Sequence, residues 1–199
     1  GMLVGILVPT VSRAKAVAMN ARTVARLVEL GGACLAFQSE KGYYPGQYAP
    51  AALVGGGGSW TGSQILGKFL FTDPAATPTF PQPKWCPFLA GAIQDASMVN
   101  DPSYIISRDG TLRDRNSPVK PILYYPARLD DPYWTQYKVG DNAAYWVPPA
   151  ADWERLVKDV RFPATAGNYP PYAPGAFLLL AAGMDGVYGT ADDIWFPAR

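Results

Sequence analysis

The chain has 199 residues, the size of one ordinary domain. Its 17 basic and 16 acidic residues leave a net charge of +1, which argues against a basic groove for nucleic acid. The sequence contains no histidine and two cysteines, which excludes Ser-His-Asp and Cys-His catalysis, imidazole zinc sites and CxxC redox pairs. Most familiar enzyme chemistries are therefore excluded.

The first 41 residues predict a stem helix. An apolar run at residues 2–8 is too short to cross a bilayer, so it is either a buried strand or the end of a longer apolar helix. Residues 10–39 follow without a turn, lack proline and are rich in alanine, which predicts a long helix. This order favours the second interpretation, in which residues 1–41 join the end of a truncated transmembrane helix to an amphipathic stem.

The predicted stem helix is amphipathic. Its apolar side is expected to pack against another surface and consists of Val17, Ala21, Val24, Val28 and Leu35. The opposite side is expected to face water and carries Lys15, Arg22, Arg26 and Glu29. The pair Gly31-Gly32 marks either a close approach of the backbone to a sheet or a weak point in the helix.

Residues 42–199 predict a globular head. Tyr43 to Pro45 end the stem, and short helices are expected at residues 63–71 and after an N-capping Asp152. Strand patterns occur at residues 104–107, 111–113, 122–125, 177–181 and 187–188. The predicted fold class is α+β, with the long N-terminal α-helix packed on a small antiparallel β-sheet.

Three carboxylates lie within nine residues near the end of the chain. Asp185, Asp192 and Asp193 are interleaved with glycines that let the backbone bend between them. Calcium prefers six to eight oxygen ligands, which such a loop supplies from carboxylates and carbonyls. The alternative is a hairpin turn at Asp185-Gly186 followed by a solvated acidic turn.

Two segments resemble a known family. Asp185-Gly186-x-x-Gly189-Thr190-x-Asp192-Asp193-Ile194 resembles the calcium loop of the major pseudopilins of type II secretion systems. Residues 1–9 resemble the second half of a type IV pilin transmembrane helix, with a proline at its membrane exit. Gly42 to Pro45 match the "G-x-YP" that commonly follows the stem in that family.

The resemblance implies a pilin-like fold and a structural role. Such subunits assemble with other pilin-like subunits through their N-terminal helices into a filament, anchored in the inner membrane with the head in the periplasm. It also implies that Asp185, Asp192 and Asp193 bind Ca²⁺ through their side chains and Val187 through its carbonyl. Many members carry serine where this chain has Ala181, so water or another carbonyl would replace that ligand.

Two other features leave alternatives open. Cys34 and Cys86 either form a disulfide in an oxidising periplasm or remain two buried thiols. The Tyr- and Trp-rich residues 124–146, with Asp130 and Asp131, suggest an alternative function as an extracellular carbohydrate-binding or glycoside-hydrolysing domain. Adjacent aspartates on an extended segment point to opposite faces, which makes them a poor catalytic pair.

Overall fold

The structure, a computed structural model, describes residues 2–48, 60–71, 105–106, 111–114, 119–161 and 168–198. These residues form a long helix, two short helices, a two-stranded sheet and a three-stranded antiparallel sheet, which confirms the α+β class. In chain order the elements are α1 (Met2–Lys41), α2 (Gly62–Phe71), β1 (Ile105–Ile106), β2 (Leu112–Arg113), β3 (Leu123–Pro126), α3 (Ala150–Val157), β4 (Phe177–Ala181) and β5 (Ile194–Phe196).

Helix α1 is continuous over 40 residues and runs through Pro9. Residues 2–8 are therefore helical, and the interpretation of this run as a strand is wrong. The helix ends as predicted, because Gly42 adopts a positive φ of 83° and its N–H donates to the carbonyl of Gln38 at 2.8 Å. Within the described residues, none of the helices is both long and apolar enough to span a membrane.

The three-stranded sheet has the order β3-β4-β5, with both pairs antiparallel. The buried run at residues 177–181 is the central strand, as its composition indicates, and β3 lies at the edge although all four of its residues are buried. The returning strand is β5, so the prediction of a strand at residues 187–188 is wrong. Those two residues belong to the loop that joins β4 to β5.

The sheet separates two hydrophobic cores. On one face, Tyr124, Phe177 and Leu179 pack with buried residues of α1 and α2. On the other face, Tyr125 and Leu180 pack with Val157 of α3 and with the aromatic residues around it. Successive side chains of a strand point to opposite faces of the sheet, so each strand contributes to both cores. A helical layer covers each face of the sheet.

The head covers a different side of α1 from the one predicted. The buried positions of the stem are Thr23, Leu27, Leu30, Gly31, Ala33, Cys34 and Phe37. The predicted packing side (Val17, Ala21, Val24, Val28 and Leu35, hereafter the outer stripe) is exposed. The helix has two apolar sides, and the head covers the one with Leu27, Leu30 and Phe37, which offers more apolar area than the side with the three valines and Leu35.

One glycine of the Gly31-Gly32 pair marks a close approach to the sheet, which confirms that interpretation for Gly31. A Cβ atom at position 31 would lie 2.3 Å from the ring of Phe196 in β5, whereas nothing lies within 4 Å of a Cβ at position 32. A second contact fixes the stem nearby, because the Thr23 hydroxyl donates to the buried carboxylate of Asp114 at 2.8 Å. Stem and head are thus in contact both at the start of the buried segment, at Thr23, and in its middle, at Gly31.

Helix α3 begins earlier than predicted. It starts at Ala150 after Pro149, which has no capping side chain, so Asp152 lies in the first turn and is not the N-cap. Val160, whose spacing from Trp153 predicts a place on the apolar side of this helix, lies beyond its end and is 64% exposed, so that prediction is wrong. The i,i+4 spacing of Glu154 and Lys158 predicts an ion pair, and that pair is present.

Several local predictions concern the other strands and the loops. Strands β1 and β2 lie within the predicted strand segments and pair antiparallel, but each is only two residues long. Four consecutive glycines at residues 55–58 and five prolines within residues 72–87 predict loops, and both segments lie outside the described residues.

Candidate functional site

The acidic loop lies between β4 and β5 and is closed on itself by glycines. Gly183, Gly186 and Gly189 have positive φ angles of 51°, 66° and 88°. At Gly183 a Cβ atom would lie 2.4 Å from the carbonyl oxygen of Asp192 and 2.5 Å from its Oδ2. Only glycine therefore permits the backbone after β4 to meet Asp192.

Asp192 closes the loop by binding the backbone at its start. Its Oδ2 accepts the N–H groups of Met184 (2.7 Å) and Asp185 (3.1 Å), and its Oδ1 accepts the Thr190 hydroxyl (2.6 Å). The hydrogen bond from Thr190, together with those backbone donors, lowers the pKa of Asp192. The carboxylate is therefore held in its charged form at the centre of the loop.

The other two aspartates each hold one further backbone N–H. Asp185 Oδ1 accepts the N–H of Val187 at 2.7 Å, and Asp193 Oδ2 accepts the N–H of Gly189 at 2.7 Å. The second oxygen of Asp193, Oδ1, is buried and has no hydrogen-bond partner in the described part of the chain. Burial, together with the charges of Asp192 and Asp185, raises the pKa of Asp193 to about 6.

The loop thus gathers the three predicted carboxylates but spreads them over different backbone donors. Among the described residues, no group of three or more acidic, cysteine or histidine side chains is arranged to hold one metal ion. The donors that the loop offers are all oxygens, which suits Ca²⁺, and the buried Oδ1 of Asp193 is the atom that most needs a positive partner. Calcium binding by Asp185, Val187, Asp192 and Asp193 therefore remains a prediction.

The other two positions of the predicted calcium site, Val187 and Ala181, contribute less to it than the aspartates. The carbonyl of Val187, at 3.1 Å, shares the single proton of the Thr190 hydroxyl with Asp192 Oδ1, at 2.6 Å, and would have to serve a cation with its second lone pair. Ala181 is buried within β4, and its methyl side chain offers no oxygen. Water or a further carbonyl would therefore be needed to complete the coordination of Ca²⁺.

An aromatic contact that the sequence did not reveal attaches the loop to the head. The ring of Tyr188 lies on Trp146, with centroids 5.8 Å apart, and its hydroxyl donates to the Pro121 carbonyl. A Cβ atom at Gly189 would lie 3.0 Å from the Trp146 ring. Because these residues are 42 to 43 positions apart, no local pattern indicates the contact.

The stem helix presents the second candidate surface. The exposed fractions along the outer stripe are 70% for Val17, 46% for Val24, 54% for Val28 and 50% for Leu35. Val28 points about 160° away from the buried Leu30, since successive helical residues are 100° apart. The side of the stem that faces away from the head is therefore an apolar surface in contact with water.

A buried ion pair lies where the chain leaves the stem and enters the head. Arg128 donates to the Gly46 carbonyl (2.9 Å) and to Asp141 Oδ1 (3.0 Å), and both side chains are largely buried. Burial outweighs the effect of Arg128 and raises the pKa of Asp141 to about 6. This network was not predicted, because the two residues are ordinary surface types in sequence.

The aromatic region proposed as a sugar site is largely used by the fold. Asp131 pairs with Lys138 at 2.9 Å, and the Tyr137 hydroxyl donates to the Ala173 carbonyl inside the head. Tyr133 and Trp134 pack edge to face, with Tyr133 at the surface. The carbohydrate function remains a prediction.

The disulfide also remains a prediction. Cys34 is buried in α1 beside the first core, while Cys86 lies outside the described residues.

Comparison of the chain with protein-family models, with curated protein sequences and with solved structures found no match.

Proposed function

We propose that the protein is a non-enzymatic structural subunit, a pseudopilin or pilin-like protein, of a type II secretion or type IV pilus-like filament. It assembles with other pilin-like subunits through α1. The head lies in the periplasm, and the N-terminal end of the stem is anchored in the inner membrane. Support comes from the α+β layout, the stem-first order of the chain and the resemblance of its two ends to that family.

The exposed outer stripe is the observation that carries this proposal. Fully burying one valine or leucine side chain is worth about 1.5–3 kcal/mol relative to leaving it in water. The stripe holds four such side chains that the head leaves exposed by 46% or more. A row of this kind along a helix is typical of a surface that another helix covers.

The position of the stripe suits repeated assembly. The inner side of α1 is occupied by the head, and Thr23 is bound to Asp114 there. A neighbouring stem can pack on the outer stripe without displacing any of these contacts. Each subunit would then contribute one stem to a common bundle, with its head on the outside.

In this proposal the acidic loop stabilises the head. Ca²⁺ held by Asp185, Asp192 and Asp193, with the Val187 carbonyl, would offset the repulsion among the three carboxylates. It would also supply a partner to the buried Oδ1 of Asp193. The loop lies between the last two strands, so its rigidity fixes β5, against which the stem packs.

Sedimentation equilibrium of the chain tests the assembly directly. The double substitution V17S/V28S removes apolar area from the outer stripe and leaves helix propensity nearly unchanged. We expect concentration-dependent association of the wild type and a monomeric variant that melts at the same temperature.

A matched control separates this effect from general loss of surface hydrophobicity. Val147 and Val160 lie on the head and are each 64% exposed, comparable with Val17 and Val28. The V147S/V160S variant should associate like the wild type. Equal association of wild type and V17S/V28S would refute assembly through the stripe.

A further inference from the structure

The exposed side of the stem contains a heptad repeat. Its positions follow one another in alternating steps of four and three residues, which is the spacing of the contact positions in a coiled coil. They are Ala14, Ala18, Ala21, Ala25, Val28, Gly32, Leu35 and Ser39, hereafter the heptad face. All eight residues are exposed and none of them carries a charge. The stem can therefore pair with a further helix over nearly four heptads.

The heptad face points away from the head. Thr23, Leu30 and Phe37 are buried against the head, and each lies two residues from the nearest positions of the heptad face on either side. Two residues of a helix correspond to 200°, so these three side chains project nearly opposite the heptad face. A second helix can lie along the face without displacing the head of the same chain.

The side-chain sizes along the heptad face favour an antiparallel partner. The N-terminal half of the face consists of alanines, and the C-terminal half carries the two bulky residues, Val28 and Leu35. An antiparallel pair that places Ala25 opposite Val28 of the second copy also places Ala18 opposite Leu35. Each bulky side chain then faces a small one. Because the separation of two helices depends on the side chains between them, this arrangement keeps the two stems evenly spaced.

The charges beside the heptad face favour the same direction. Lys15 and Arg22 are exposed and form no ion pair within the described ranges. Glu29 and Glu40 project from the same side of the helix, since all four residues point within about 40° of one another. The basic residues precede the acidic ones along the stem. Parallel stems in register would therefore place like charges side by side, which is unfavourable.

The antiparallel register brings opposite charges together instead. Arg22 comes within about 3 Å, measured along the axis, of Glu29 of the second copy, and Lys15 comes equally near to Glu40. Both contacts occur twice, because the pair is symmetric. Within its own stem Glu29 pairs with Arg26 and Glu40 with Lys41. A carboxylate has two acceptor oxygens and can accept from a second cation.

We propose that two copies of the chain that are not part of a filament pair through their heptad faces as an antiparallel coiled coil. Arg22 binds Glu29 of the second copy, and Lys15 binds Glu40. The pair buries the outer stripe, so a paired stem must separate before it can pack beside the parallel stems of the proposed filament. Pairing and assembly use the same surface, but the direction of the stems is measured separately from their association.

Zero-length cross-linking of the whole chain tests the direction without any substitution. A carbodiimide joins a lysine to a carboxylate only where the two side chains are in contact. Lys15 and Glu40 belong to one continuous helix and lie about 38 Å apart along it, so a bond between them can only join two copies. We expect a covalent dimer whose peptide map, read by mass spectrometry, contains the link between Lys15 and Glu40.

Charge reversal tests the contact between Arg22 and Glu29 by sedimentation equilibrium. R22E should weaken self-association about tenfold, because both of its new carboxylates would face Glu29 of the other copy. R22E/E29R restores opposite charges and should associate within about threefold of the wild type. The matched control is R13E, since Arg13 is exposed but projects from the other side of the heptad face, where the stem has no acidic residue. It should change the association less than about twofold.

Three outcomes would overturn the proposal. Self-association of the wild type without the link between Lys15 and Glu40 would exclude the antiparallel direction and leave the proposed filament in place. Tighter association of R22E would do the same, because parallel stems gain from the loss of a repelling charge. A wild-type chain that stays monomeric would refute both the pair and assembly through the outer stripe.

Discussion

The ring of Phe196 occupies the place where a side chain at position 31 would begin. Its atoms lie 2.3 Å from the ideal Cβ position of Gly31, and the ring is itself stacked on Phe177 with centroids 5.9 Å apart. The last strand of the sheet can therefore touch the backbone of the stem helix. The neighbouring Gly32 is exposed and has open space around it.

The two glycines should respond to alanine with opposite signs. G31A forces the Phe196 ring away from Phe177 and should lower the free energy of unfolding by about 1–3 kcal/mol. G32A adds helix propensity without a clash and should raise it by about 0.5–1 kcal/mol. Urea unfolding of the two variants measures both effects. A stabilised G31A would contradict the close packing of stem and β5.

The buried hydrogen bond between Thr23 and Asp114 should contribute measurably to the attachment of the stem. T23V keeps the shape of the side chain but removes the donor to a buried carboxylate, so we expect a loss of about 1.5–3 kcal/mol. A double-mutant cycle with D114A, which removes the acceptor, isolates the pairwise energy. The control T135V changes an exposed threonine and should stay within about 0.5 kcal/mol of the wild type. Additive effects of T23V and D114A would show that the two residues are not coupled.

Protonation of Asp141 should make stability depend on pH. Its pKa is about 6 in the folded protein against an ordinary value of 3.8, so the folded state binds the proton more tightly. The free energy of unfolding should therefore rise as the pH falls from above 6 towards 4, by up to about 3 kcal/mol from this residue. The groups that act on the carboxyl are Arg128, Lys138, Asp131 and Tyr125.

Denaturant unfolding of D141N across this pH range measures that contribution. The amide keeps the size of the side chain and can still accept from Arg128, but it does not titrate. The free energy of unfolding of the variant should depend less on pH than that of the wild type. The dependence that remains should have the same direction, because the pKa of Asp193 is also raised. D152N, at an exposed position in α3, should leave the profile unchanged. Identical profiles for D141N and wild type would exclude Asp141 as the source.

Calcium should raise the melting temperature if the acidic loop binds it. Ligand at about 100 times its dissociation constant adds ~2.7 kcal/mol, which is about 5–10 °C for a chain of this size. D193A removes the buried oxygen, so its melting temperature should be the same in calcium and in chelator. D130A, at an exposed carboxylate outside the loop, should respond like the wild type. No response in any of the three would leave the loop as a hydrogen-bonded turn.

Short sequence patterns predicted the elements whose conformation depends mainly on neighbouring residues in the chain. The end of α1 follows from Gly42, which alone tolerates the left-handed backbone there. Helix α2 and strand β4 follow from short apolar runs of the right length and composition. These features require no knowledge of distant partners, so the sequence sufficed for them.

Features that depend on distant partners were missed or misassigned. The periodicity of the stem predicted that the side with the valines would be buried. Which side is buried depends instead on the complementary surface of the head. The strand predicted at residues 187–188 is a loop because Asp192 binds the backbone of Met184 and Asp185. The spacing of Asp185, Asp192 and Asp193 did indicate that they share one loop. It did not indicate that each carboxylate would bind a separate backbone donor.

The contact between α1 and β5 also sets an order of events during synthesis. The stem is synthesised before the head, and Phe196 is added to the chain 165 residues after Gly31. Until then Leu27, Leu30 and Phe37 lack part of their final cover. Contacts of such long sequence separation form late and slowly. The nascent chain therefore exposes two apolar helix sides, and completion of the last strand closes one of them.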